Sequence, residues 1–437
     1  MTAGVHPFAR ATPARPAWGT LGAAAALGVL IAAGIAVVLA GAAGPVHGQL
    51  VPVLHRLLAG WVLGPLHGVG LATTQTAFYL EYAVMGVAYV AAVVLAPRVA
   101  IGWIVAAVVG LHVAFALAPL LLSTDVFNYV EYAYLGAVRH LDPYVRTPAS
   151  SPGGPVYVVV HWRHTVDAYG PLFTLASYPL GTIGAVAGVW AFKAVAAAAS
   201  LACAGLVWWT ARRLERPPAR ALAAFGLNPV LLVSAVGGAH NDLVMLALLV
   251  GGVAMIAANR ELRGGAALVA AVGIKLSAGL AIPLLVLGAG RRWTAAAGVA
   301  LGTLALAVLA YVSFPSHAVG MIHMVARESG AVSPVSIPLV VARALGAHTV
   351  PAGVHPVLTV LVALVVVGLA AWVWRGGDVM AAVAYAFVAL LVTSSWTLPW
   401  YLLWPLPFAA LARRPWPLVS VVIVQITWVA GEVALRR

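Results

Sequence analysis

What most constrains this chain is the recurrence of apolar runs about twenty residues long, each enough for a helix to span a bilayer's hydrocarbon core. The first is WGTLGAAAALGVLIAAGIAVVLAGAAG. Inside hydrocarbon only a helix or a closed barrel satisfies its own backbone, and runs of this length favour helices. Charged residues make up 8% of the chain and hydrophobic residues 63%, whereas a soluble domain carries about 25% charged residues. The expected fold class is all-α, a polytopic transmembrane bundle of about 11–13 segments with extracytoplasmic loop helices. Residues 1–437 are expected to form one membrane domain with no separate soluble domain.

Spans are expected near 18–42, 76–96, 99–122, 188–211, 242–258, 293–313, 355–375, 378–395, 399–412 and 416–434. Residues 49–71, interrupted by His, Arg and Pro, read as an interfacial segment. The first run is too long for a signal-peptide core and is expected to stay as an anchor. A short segment broken at Asn228–Pro229 runs to Gly238. Residues 264–290 have arginines beyond both ends yet carry Lys275 at their middle, which two half-helices would reconcile. Broken helices are tolerated at membrane depth where protein or a water-filled cavity covers them.

The formal net charge is +13, but it does not point to nucleic acid. Arg10, Arg15, the four arginines of ARRLERPPAR, Arg260 and Arg263 fall on one side of a single topology, as the positive-inside rule expects of a cytoplasmic face. The single cysteine, Cys203, excludes a disulfide framework. Residues 123–185 form the largest polar excursion, on the extracytoplasmic side.

An ionisable residue at membrane depth is a functional candidate by default. Asp125 ends the third long run and opens the helix-like DVFNYVEYAYLGAV. Two readings stand: a helix cap accepting backbone N–H groups, or a carboxylate that takes a proton from a hydroxyl nucleophile. Tyr132 belongs to an aromatic wall suited to amphipathic ligands, and Glu131 is a weaker candidate on another helix face. Asp142 in HLDPY reads as an Asp-Pro turn. His240, Asn241 and Asp242 form a polar corner in GGAHNDLVM, either capping the next helix or meeting sugar hydroxyls or a phosphate. Lys275, beside freed backbone N–H groups, is suited to a phosphate leaving group. Trp400 and Tyr401 lie in the turn WTLPWYLLW, Tyr169 in DAYGPLF, and Arg327 in a far-side loop. Arg163 and His164 are candidate contacts that also suit a solvated loop. A divalent metal is not indicated, because adjacent His and Asp lack a paired metal-ligand spacing. No Walker loop, GxGxxG after a strand, CxxC pair, HExxH or GxSxG is present, so ATP-driven transport, dinucleotide chemistry and zinc proteolysis lose support.

The blocks STDVFNYVEYAYLGAVRHLDPYVRTP, DAYGPLF, NPVLLVSAVGGAHNDLVM, GIKLSAGLAIPLLVLGAGRRW and TLPWYLLWPL follow one another in order. Together they resemble the bacterial polyprenyl-phosphate-mannose-dependent alpha-1,6-mannosyltransferases, integral membrane glycosyltransferases of GT-C type. The likeness covers about residues 110–410. It implies a polyprenyl-phosphate-linked sugar donor, a glycan or glycolipid acceptor and a bilayer as partners; neither nucleic acid nor a cofactor is expected. It also implies Asp125 as base in a single inverting displacement at the extracytoplasmic face. Two other readings stand: a transferase of another polyprenyl-phosphate pentose or hexose, and a lipid or solute transporter, which would also explain a broken helix.

Overall fold

The computed structural model describes the backbone of residues 17–44, 64–66, 68–328 and 330–435. The expected interfacial segment 49–71 lies largely outside these residues. The described residues are helical, without strands. In chain order the α-helices are α1 (Ala17–Ala42), α2 (Gln75–Leu95), α3 (Ile101–Leu117), α4 (Asp125–Ala137), α5 (Pro171–Thr182) and α6 (Ala185–Arg213). Next come α7 (Pro218–Gly226), α8 (Asp242–Ala257), α9 (Glu261–Val272), α10 (Ile282–Leu287), α11 (Arg292–Ser313) and α12 (Gly320–Glu328). The last are α13 (Ile337–Ala344), α14 (Val354–Trp374), α15 (Val379–Thr393), α16 (Leu406–Leu411) and α17 (Trp416–Leu435). Five, namely α1, α2, α6, α11 and α14, are long and apolar enough to cross a membrane. The chain is a helical membrane protein.

Helices α6, α8, α9 and α11 pack in a row, with α3 and α7 against α6. Buried polar pairs tie these apolar surfaces together, as is common between helices in lipid. His112 Nε2 lies 2.8 Å from Ser200 Oγ, joining α3 to α6. Asn228 donates to Gln425 Oε1 at 2.9 Å, joining the segment after α7 to α17.

Proline and local strain set the element boundaries that matter for the site. Pro119 forces Ala118 into extended backbone (ψ 158°) and α3 stops there, short of the expected 122. Leu122 then takes a left-handed conformation (φ 59°) before α4 begins. The expected span at 399–412 is absent: a 3₁₀ turn, Pro399–Leu403, and six-residue α16 replace it, divided at Pro405. Neither piece is long enough to cross a bilayer. After α7, a π-helical turn at Leu231–Val236 leads into the corner that precedes α8.

The expected break around Lys275 is present. Helix α9 ends at Val272, Lys275 is extended (φ −152°, ψ 128°), and a 3₁₀ turn, Leu276–Ala281, leads into α10. Helix ends leave carbonyls without intrahelical partners. Here the loop before α5 supplies donors: Gly170 N reaches Ile274 O at 2.9 Å, and Leu172 and Phe173 N reach Gly273 O at 2.9 and 3.1 Å. Gly170 lies so close to the Gly273 carbonyl that any Cβ would collide with it. The polar loop is thereby fixed against the break, and Tyr169 is brought beside Lys275.

Candidate active site

A cavity of about 660 Å³ lies between the start of α4, the 165–169 loop, the Lys275 break, the end of α15 and the Trp396–Trp404 turn. Asp125, Asn128, Tyr132, Tyr169, Lys275 and Tyr401 are among its lining residues. Asp125, Asn128 and Tyr132, at i, i+3 and i+7, occupy one face of α4.

Asp125 is not the helix cap. Thr124 holds that position, and Asp125 is the first helical residue, its N–H donating to Ser123 Oγ at 3.1 Å. Its carboxylate accepts from Trp162 Nε1 at 3.3 Å and lies 3.8 Å from His240 Nδ1. The His240 ring stacks on Trp400 with centroids 3.5 Å apart. Tyr129, the centre of an aromatic cluster with Tyr169, Phe173 and Phe192, places its hydroxyl 3.4 Å from His240 Nδ1 and 3.5 Å from Asn241 Oδ1. His240 Nε2 and Asn241 Nδ2 are buried and lack a hydrogen-bond partner among the described residues. The corner needs a left-handed residue, Ala239 (φ 61°), a conformation costing about 1–2 kcal/mol outside glycine.

Asp242 likewise follows the helix cap, Asn241. It is fully buried and holds Lys275: Nζ lies 2.9 Å from both carboxylate oxygens. Trp404 Nε1 donates to the same carboxylate at 2.7 Å. The ammonium sits 4.6 Å from the Tyr401 ring centre and 5.6 and 5.9 Å from those of Trp404 and Tyr169, where the π faces attract a cation. Asp125 and Lys275 thus form two polar poles of one chamber, while His240 and Asp242 stand behind them, buried and outside its lining. Leu276, Leu280, Leu390 and Leu391 form an apolar wall next to the Lys275 pole.

Other expected contacts lie elsewhere. Glu131 is buried behind the cavity, where Oε1 accepts from Val156 N at 2.8 Å. Burial pushes its carboxyl up to about 7, partly offset by that bond. Arg163 turns back onto its own loop, donating to the carbonyls of Val160 and Val158 and lying over Tyr157. His164 is exposed and does not line the cavity. Trp400 does not line the cavity; it packs on the site from behind, stacked on His240 and edge-on to Tyr401. Arg327 falls in α12, and its side chain lies outside the described residues. Asp142 makes the expected turn, accepting from Tyr144 N at 2.9 Å, and also pairs with His317 at 2.9 Å. Among the described residues, no three His, Cys, Asp or Glu side chains converge in a metal-binding cluster.

Three residues the motifs did not single out belong to the chamber. Asn128 shared the face of Asp125, Trp162 sat in the polar loop, and Trp404 lay three residues after Tyr401. A fourth, Lys193, lies behind it in α6. It is 1% exposed, and its Nζ donates to Gly237 O at 3.0 Å, Pro119 O at 3.3 Å and Phe115 O at 3.4 Å. Its signal was the same as that of Lys275, a lone ammonium in an apolar run.

A family described as Alpha-(1->6)-mannopyranosyltransferase, N-terminal domain, matches residues 20–291. The chain is 29% identical over 350 residues to alpha-(1->6)-mannopyranosyltransferase A of Mycobacterium tuberculosis, covering 72% of this chain and 67% of that protein. It is 26% identical over 331 residues to the Corynebacterium glutamicum protein of the same name, covering 65% and 66%. It thus spans about two thirds of the length of these relatives. A second Mycobacterium tuberculosis alpha-(1->6)-mannopyranosyltransferase, Rv1459c, is 33% identical over 147 residues, 31% of this chain and 24% of that protein. No solved structure matches.

Proposed function

Because the chain belongs to the alpha-(1->6)-mannopyranosyltransferase family, we propose that it moves a mannosyl group from a polyprenyl-phosphate donor to a hydroxyl of a glycan or glycolipid. The observation that carries this reading is the placement of Asp125 and Lys275 on the walls of one cavity. Asp125 receives the proton of the acceptor hydroxyl as its oxygen forms a bond to the anomeric carbon. The bond from that carbon to the phosphate oxygen breaks, with inversion, and the proton remains on the carboxyl until solvent takes it. The donor phosphate goes from one negative charge to two during the step. A cation already in place stabilises charge that develops in the transition state. Lys275 supplies it, with Asp242 spending two hydrogen bonds to fix the ammonium's position.

Departure as a phosphate dianion needs no proton, so one carboxylate suffices where glycosidases use two. The adjoining leucine wall suits the first isoprene units of the donor. The arginine-rich connections at Arg212–Arg220 and Arg260–Arg263 suit the cytoplasmic side by the positive-inside rule, which supports an extracytoplasmic chamber. The test is Asp125→Asn in membranes given radiolabelled mannosyl-phosphoryl lipid and oligomannosides. Transfer should fall at least about a thousandfold, the upper range for loss of a positioned base, with unchanged amounts of folded protein. Normal turnover by that variant refutes the assignment.

A further inference from the structure

We propose that Lys193 is the positioning residue that sets the Asp125–His240 separation, a role that rests on the catalytic reading of that pair. Two irregular segments carry these side chains: 118–124 leads to Asp125, and 237–239 leads to His240. Each contains a left-handed residue other than glycine, Leu122 and Ala239, so each must be held by its surroundings. Both meet at the Gly237 carbonyl, which accepts from Leu121 N at 3.2 Å and from Lys193 Nζ at 3.0 Å. The same nitrogen donates to Pro119 O and to Phe115 O, at the end of α3. Three carbonyls use all three N–H donors of an ammonium. Trp190, one helical turn away, places its ring centre 5.5 Å from the nitrogen.

Lys193 therefore ties the end of α3, the approach to Asp125 and the turn before His240 to one point on α6. It does not line the cavity and acts through those two segments. Removing the tie leaves the Leu121–Gly237 bond without its anchor on α6, so the two strained segments can shift from their positions. A displacement of about 1 Å in a catalytic group costs about a hundredfold in rate.

The experiment uses the full-length protein in lipid nanodiscs. Lys193→Met keeps the side chain's length and removes its donors. We expect kcat to fall about 10–100-fold with the donor KM within about twofold of wild type. In a His240→Ala background the same substitution should cost about threefold or less, because coupled residues are not additive. A merely structural lysine would lower folded yield and give the same loss in both backgrounds. Lys193→Arg, which restores a cation with several donors, should recover most of the rate. Amide exchange gives a readout independent of turnover. Residues 120–124 and 237–241 should lose protection together, by about tenfold or more, while 245–255 in α8 keep theirs. If Lys193→Met does not fold, Lys193→Gln, which keeps one amide donor pair, takes its place with the same expectations. Wild-type kcat in the folded variant, equal loss in both backgrounds, or unchanged exchange at either segment overturns the proposal. If the wild-type protein transfers no mannose, the function assigned above fails, while the exchange measurement still decides whether Lys193 holds the two segments together.

Discussion

Replacing Lys275 by Met should damage the protein in two separable ways. The substitution strips Asp242, which is fully buried, of its cation and leaves Trp404 Nε1 as a donor to the carboxylate. An uncompensated buried charge of this kind costs about 3–5 kcal/mol. Lys275 itself is 14% exposed on the cavity wall, so water can reach the vacated edge and the lower end of that range applies. Adding Asp242→Asn removes the buried charge while keeping an oxygen for Trp404. The double variant should therefore recover about 2 kcal/mol or more, since an apolar or neutral pair in place of a buried ion pair is often nearly neutral. Donor recognition should not return, because neither variant carries a cation at the phosphate position. The assay pairs thermal unfolding in nanodiscs with donor KM for the wild type, the single variant and the double variant. Stability should fall and then rise along that series, while donor KM stays at least about tenfold above wild type in both, the equivalent of ~1.4 kcal/mol. A double variant that regains wild-type donor KM, or a single variant that never loses it, refutes the phosphate role of Lys275.

Glu131 gives a pH signature. Its carboxyl is raised to about 7 by burial, so its contribution is fully present below the ordinary value near 4.5 and is lost as pH rises through 7. The loss is about 3 kcal/mol at most; Glu131→Gln should shrink the fall in stability between pH 4.5 and 7. It should not abolish the fall, because buried Asp167 is also raised to about 7. An unchanged slope in chemical denaturation would rule out Glu131 as the titrating group. Gly170→Ala drives a Cβ into the Gly273 carbonyl and should cost about 1–3 kcal/mol as overpacking, measured as lost thermal stability together with weaker donor binding. Ser200→Ala combined with His112→Phe should show a coupling of about 0.6–1.7 kcal/mol in a double-mutant cycle, the range found for such pairs in lipid.

The helical class was legible because hydrocarbon leaves the backbone so few options, and the Lys275 break was legible because an ammonium stood where arginines bounded both ends. The polar corner at His240–Asp242 could be located for the same reason. What could not be read was how each polar side chain is spent. Glu131 and Arg163 looked like ligand contacts, yet both satisfy backbone groups of the loop at 156–163, whose conformation no periodicity encodes. The span expected at 399–412 failed because Pro405 divides it, whereas the hydropathy of the stretch is uninterrupted. Lys193 was as visible as Lys275, but which carbonyls it meets depends on the packing of α3 against the turn before α8.

The donors at Gly170–Phe173 that complete the interrupted α9 lie earlier in the chain than the carbonyls they meet. Because a growing chain delivers its N-terminal parts first, the partner for those carbonyls is synthesised before the discontinuity itself emerges from the ribosome. The exposed peptide groups can thus be received on arrival, and the protein avoids a period in which a severed helix waits in lipid for its complement.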